Sequence, residues 1–141
     1  MTAFVTRSDP QPDVVAGPAD ALLRFALRAD ATVCAGVGLL TAMTADALAR
    51  IAGLSATAGW LIGAALVGYG VLLYGLARIP DIRRVGVSVL SGNMLFAVAA
   101  VVAVAGGWLP VTAAGTDLLL GFVAATLGLA WLQYRGVRRL V

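Results

Sequence analysis

Few side chains in this sequence could do chemistry, and most of those that could are polar residues set in apolar runs. Asn93 stands in Ser-Gly-Asn-Met-Leu-Phe (Ser91–Phe96). Counted from Arg84 at 1.5 Å per helical residue, it lies about 13 Å into a membrane-spanning helix. Tyr69, counted back from Arg78, reaches a similar depth. An unpaired amide in hydrocarbon is costly, so Asn93 is expected to face other helices and find a partner, with Tyr69 one candidate. Ser88, Tyr74, Asp30 and Gln133 read as lying nearer the surface. The six residues Asn93, Tyr69, Asp30, Tyr74, Ser88 and Gln133 form the expected intramembrane polar cluster, a pocket open to the cytoplasm. Its plainest role is an interhelical hydrogen bond that fixes packing, on the order of 1 kcal/mol or less. Its other role is to bind a solute or lipid.

Asp30 follows Arg28 by two positions, so the two point to nearly opposite sides of a helix. Its expected partner is Arg83, Arg84 or Arg135 on another helix, in an ion pair near the interface. Cys34, the only cysteine, reads as a small packing residue. It excludes an intramolecular disulfide and a cysteine-based metal cluster. The sequence holds no His, Lys or Glu; every base is Arg and every acid is Asp. A His-ligated haem, a His-containing zinc site and a Ser-His-Asp triad are therefore excluded. Gly36-Val-Gly38 lies inside a span and lacks the strand–turn–helix setting of a dinucleotide site. No catalytic residue, cofactor or metal is expected, and the chain does not read as an enzyme.

The elements that must position these residues are membrane spans. Hydrophobic residues make up 61% and charged residues 12% of the 141, and the mean hydropathy is +0.97. Soluble domains carry about 25% charged residues, so this chain lacks the polar surface to cover a water-soluble fold. Residues 1–19, with Pro10, Pro12, Pro18 and Gly17, read as a disordered cytoplasmic tail without the apolar middle of a cleaved signal peptide. Residues 20–141 read as one four-span domain, with spans at about 22–48, 57–77, 85–106 and 117–135. Asp20, Arg24 and Arg28 recur every four residues, so Asp20 is expected to cap the first helix and pair with Arg24. Asp46 and Arg50 mark the far interface. Thr57 to Ala77 carries no charge for about 21 residues, enough to cross about 30 Å of hydrocarbon. Gly106, Gly107 and Pro110 end the third span. The fold class is thus all-α: a four-helix transmembrane bundle with short loops.

Arg7, Arg24, Arg28, Arg78, Arg83, Arg84, Arg135, Arg138 and Arg139 fall on one side and Arg50 alone on the other. The positive-inside rule makes the first side cytoplasmic, with both termini inside and the protein in the cell membrane. The basic excess belongs to headgroups, so no nucleic-acid partner is expected. Small residues recur at four-residue spacing in Cys34–Gly38–Ala42, Gly59–Gly63, Ala64–Gly68, Ser88–Gly92, Gly121–Ala125 and Ala124–Gly128. Such ridges let helices approach closely, either within one bundle or against a second copy or a membrane-protein partner. Gly53–Gly59 faintly echoes Leu109–Gly115, which leaves a tandem duplication open.

Leu-Arg-Phe-Ala-Leu-Arg-Ala-Asp-Ala (Leu23–Ala31), Gly-Asn-Met-Leu-Phe (Gly92–Phe96), Gly-Trp-Leu-Pro (Gly107–Pro110) and Leu-Gln-Tyr-Arg-Gly-Val-Arg-Arg (Leu132–Arg139) carry a resemblance. With them the chain resembles uncharacterised small four-span membrane proteins common in actinobacteria and other GC-rich bacteria. That resemblance implies a four-span fold and no activity. Small four-span drug exporters are similar in size, but their pattern places an essential Glu in the first span, and this chain has none. The leading functional expectation is a non-catalytic accessory or structural membrane component. The alternative is a small transporter or a lipid- or solute-binding protein using the polar cluster.

Overall fold

The longest apolar runs become the longest helices. The computed structural model describes residues 17–140; the tail expected over residues 1–19 lies outside them up to residue 16, and Pro18 and Ala19 are helical. Five helices follow in order: α1 (Pro18–Met43), α2 (Ala45–Ala52), α3 (Ala56–Leu76), α4 (Ile82–Ala105) and α5 (Ala113–Arg138). All but α2 are long and apolar enough to cross a membrane, and the chain is a multi-pass integral membrane protein built as an all-α bundle. Trp60, Leu61, Leu95, Val98 and Trp131 lie exposed on its outside, as a hydrocarbon solvent demands.

Several helix ends differ from the sequence expectation, each for a local reason. α1 starts at Pro18, not Asp20, with Pro in the first turn, where its missing N–H costs nothing. Gly17 occupies the cap position and no side chain caps the helix, so Asp20 is a first-turn acid rather than the cap. The first span ends at Met43, not near residue 48. Thr41 and Thr44 donate back to the carbonyls of Val37 and Leu40, and the backbone breaks at Thr44 before the short α2. That helix buries Ala45 and Ala52 and exposes Asp46 and Arg50. It ends at Gly53, whose φ of 77° is the left-handed conformation glycine adopts freely. α4 begins at Ile82, capped by the Asp81 carboxylate on the Arg84 N–H. Arg83 and Arg84 are therefore helical rather than part of a turn.

The last helix starts four residues before Asp117. The Thr112 hydroxyl accepts from the Gly115 N–H at 3.1 Å and donates to the Ile51 carbonyl at 2.5 Å. The Thr112 N–H donates to the Ala52 carbonyl at 3.0 Å. One residue thus caps α5 and ties it to the end of α2. Ser55 caps α3 in the same way, accepting from the Ala58 N–H. Both echoing segments hold a Ser or Thr cap three residues before its donor, but the caps fall one position apart when the segments are aligned.

Packing sets the bundle's asymmetry. In lipid, helices gain little by burying apolar surface, and close van der Waals contact must hold them. α1 lies against α3 along a glycine seam: a Cβ at Gly38 would sit 2.6 Å from the Gly63 carbonyl oxygen, and one at Gly63 equally close to that of Gly38. Gly70 continues the seam against Ala31 and Ala35, and Gly59 against Ala45. On its other side α1 packs against α5 and, less extensively, α4, which themselves pack together; α3 and α4 make no extensive backbone approach and meet through side chains, Tyr69 with Asn93 and Leu73 in one buried cluster with Ile82 and Val89. At the Arg-rich end, Leu23 inserts between Gly86 of α4 and Gly136 of α5. Buried Leu27, Leu73, Ile82 and Val89 pack around it.

Candidate functional site

The polar residues meet at the middle of α1. Asp30 stands 12 residues from Pro18 and 13 from Met43, so it occupies the centre of the helix rather than the shallow position expected of it. Arg24 and Arg28 mimic an interface just before it, yet the helix already has three turns behind Asp30. Asn93 lies 11 residues from Ile82 and 12 from Ala105, near the centre of α4. Tyr69 comes from the second half of α3 and Gln133 from the last turns of α5.

Four of the six expected residues converge. Asp30 is 1% exposed, Gln133 0% and Asn93 5%. The Asn93 Nδ2 and Gln133 Nε2 groups both donate to Asp30 Oδ2 at 2.8 Å. Asn93 Nδ2 also lies 3.3 Å from Gln133 Oε1, and the Tyr69 hydroxyl donates to Asn93 Oδ1 at 3.2 Å. Among the described residues no buried side-chain nitrogen or oxygen lacks a partner, so a shared network carries the desolvation cost of these groups.

Tyr74 and Ser88 lie elsewhere. Tyr74 shares a 2.6 Å hydrogen bond with Thr32 on the outside of the α1–α3 seam, and Ser88 is exposed. Each stands five residues from a cluster member, Tyr69 or Asn93. Five residues turn a helix by about 500°, leaving the side chain about 140° away from that member.

Among the described residues no arginine pairs with Asp30, contrary to the expected ion pair. Arg24 donates to the Ala77 carbonyl at 2.6 Å, satisfying an orphan acceptor at the end of α3, and does not pair with Asp20. Arg84 pairs with Asp81 at 3.0 Å, the only ion pair among the described residues. Arg135 stacks over Trp131. Both amide groups and the Cys34 thiol face the carboxyl group as donors, and no cation does. Cys34 donates to Oδ1 at 3.5 Å. The sequence reading gave it only a packing role, although its i, i+4 spacing from Asp30 was signal enough to place both on one face.

The pocket opens in a different direction from the expected one. One turn toward the Arg-rich end from Asp30, Asn93 and Tyr69 stand Leu27, Val89 and Leu73, all buried. This apolar layer separates the cluster from that end. A cavity of about 260 Å³ instead extends from Asp30 away from the Arg-rich end. α1 supplies Asp30 and Cys34 as its floor, α3 supplies Leu66 and Tyr69, α4 supplies Gly92, Asn93 and Phe96, and α5 supplies Phe122 and Thr126. Gly92 and Phe96 are exposed on the flank where α3 and α4 part, so the cavity is a cleft with a lateral mouth. The rings of Phe96 and Phe122 meet edge to face at 5.8 Å. Thr126 turns its hydroxyl back to the Phe122 carbonyl, leaving Asp30, Asn93, Tyr69 and Cys34 as the cleft's free-standing polar groups. This geometry can bind and orient a small molecule. No family model, curated protein or solved structure matches the chain.

Proposed function

We propose that this membrane protein binds a small amphiphilic molecule in the cleft between α3 and α4 without chemically transforming it. The supporting observation is a cavity with a buried carboxyl group as its floor, open sideways between two helices whose backbones do not approach closely. An apolar pocket with a few convergent polar groups between helices of a bundle has the general form of a ligand site. Among the described residues Asp30 has no second carboxylate or imidazole clustered with it and Cys34, so binding fits better than catalysis. The lateral mouth favours a ligand that partitions into the bilayer over one arriving from water. The Arg-rich end faces the cytoplasm in this reading, on the strength of the arginine bias.

The test is extraction into lipid nanodiscs without detergent, followed by mass spectrometry of retained small molecules. Wild type retains an amphiphile that Gly92→Leu, which fills the mouth of the cleft, loses while remaining folded. Equal retention by both proteins, or retention by neither, contradicts the proposal.

A second reading, an accessory component that packs against a partner helix, rests on a separate observation. Gly68, Gly75, Gly121 and Gly128 have no neighbouring atom within 4 Å of where a Cβ would stand, so small-residue stripes remain on the outside of the bundle. Leucine at Gly121 and Gly128 would abolish co-purification of such a partner and leave the cleft's ligand in place.

A further inference from the structure

Resting on the cleft-binding reading, we infer that the ligand is a small organic cation whose ammonium group pairs with Asp30 and whose apolar groups lie against the aromatic walls. The two oxygens of Asp30 are unequally occupied. Oδ2 accepts from two amide groups at 2.8 Å, whereas Oδ1 accepts only from the Cys34 thiol at 3.5 Å. A thiol is a weak donor, and a carboxylate oxygen has room for a second bond. The remaining acceptor capacity of Asp30 therefore lies on Oδ1, beside Cys34, and both residues line the cleft.

Among the described residues no cation pairs with this carboxyl group. Arg24 is committed to the Ala77 carbonyl, Arg84 to Asp81, and Arg135 and Arg138 to aromatic rings near the chain end. Arg28 is exposed and projects from nearly the opposite side of α1. A buried carboxylate without a counter-charge is expensive, and a ligand cation offsets that cost in a way a neutral ligand cannot.

The walls select an organic cation over a bare metal ion. Hard cations take six or more oxygen ligands or keep several waters, and among the described residues no three acidic, thiol or imidazole groups cluster. Tyr69, Phe96 and Phe122 line the same cavity as Asp30, and aromatic faces attract alkylammonium groups, most strongly where water is excluded. At about 260 Å³ the cavity falls below drug-sized pockets of about 300–1,000 Å³, so the ion is compact.

The test uses benzyltrimethylammonium and its neutral isostere neopentylbenzene, titrated into the full chain in phosphatidylglycerol nanodiscs. Binding is read from the side-chain amide resonances of Asn93 and Gln133, with affinities referred to each probe's concentration in the bilayer. The cation is expected to bind at least about tenfold more tightly, through charge attraction alone because its nitrogen carries no hydrogen, and Asp30→Asn abolishes that preference. Phe122→Leu keeps the carboxyl group and weakens the cation more than the isostere, a readout that stands even where Asp30→Asn does not fold. Equal affinities overturn the charge inference and leave the binding cleft intact; binding of neither probe overturns the cleft reading itself. Repeating the titration with phosphatidylcholine added separates the sources of the ammonium group. Competition by the lipid assigns the site to a headgroup, and unchanged affinity assigns it to a free cation; either result retains the charged ligand.

Discussion

The two flanks of α3 are built on opposite principles. Against α1 it presents Gly63 and Gly70, and the backbones approach until a single methyl group would collide with a carbonyl oxygen. Toward α4 it presents Leu66 and Tyr69, and the helices stay apart around a cavity. Where no side chain intervenes, dispersion contact holds the helices and no polar group is needed. Where the helices part, hydrogen bonds span the gap: Tyr69 reaches Asn93, and Asn93 reaches Asp30 on α1. One flank can therefore serve as scaffold while the other remains available to a ligand.

Mutations on the two flanks should separate accordingly. The largest effect is expected from Gly63→Leu, which drives a branched side chain into the backbone of α1. It should cost about 3 kcal/mol or more, read as the shift in reversible unfolding by sodium dodecyl sulfate in mixed micelles. Gly68→Leu, on the outer face of the same helix, should stay within about 1 kcal/mol of wild type. Equal losses at the two positions would erase the distinction between seam and surface.

Asn93→Leu comes next, at about 1–2 kcal/mol. It leaves Asp30 and the Tyr69 hydroxyl each short of a partner, and single polar contacts in membranes are worth up to about this much. The same unfolding titration checks it, and no measurable loss would mean that hydrogen bonds do not bridge the open flank. Tyr69→Phe should be smaller, about 0.5 kcal/mol, because it removes one peripheral bond of 3.2 Å and keeps the ring. A loss larger than that of Asn93→Leu would move the centre of the network from Asp30 to α3.

The scaffold was the more legible of the two flanks. The charge-free run over residues 57–77 is α3 almost to the residue, because an apolar stretch of that length has one stable form in a bilayer. Cys34–Gly38–Ala42 and Gly59–Gly63 did mark close approach, yet Ala64–Gly68 and Ala124–Gly128 carry the same spacing and place Gly68 and Gly128 in open space. Spacing identifies a smooth face without saying what lies against it. At the site, the burial of Asn93 followed from the cost of a lone amide, and Tyr69 was its natural partner. The depth of Asp30 was hidden by Arg24 and Arg28, which mimic an interface although α1 begins at Pro18. Gln133 joins Asp30 across 103 residues of chain, and nothing local specifies that meeting. Nor could the sequence show that Leu27, Leu73 and Val89 close the Arg-rich side, since buried and lipid-facing leucines read alike.

The lateral mouth of the cleft is tested most directly by cross-relaxation at the Asn93 side-chain amide in nanodiscs of protonated lipid, with no ligand added. Transfer from acyl-chain methylene protons to that amide and to the Cys34 β-protons, with none to Leu27, is the predicted pattern. Water cross-peaks at Asn93 without acyl contact would contradict it, placing the cleft in communication with the aqueous phase rather than with the bilayer.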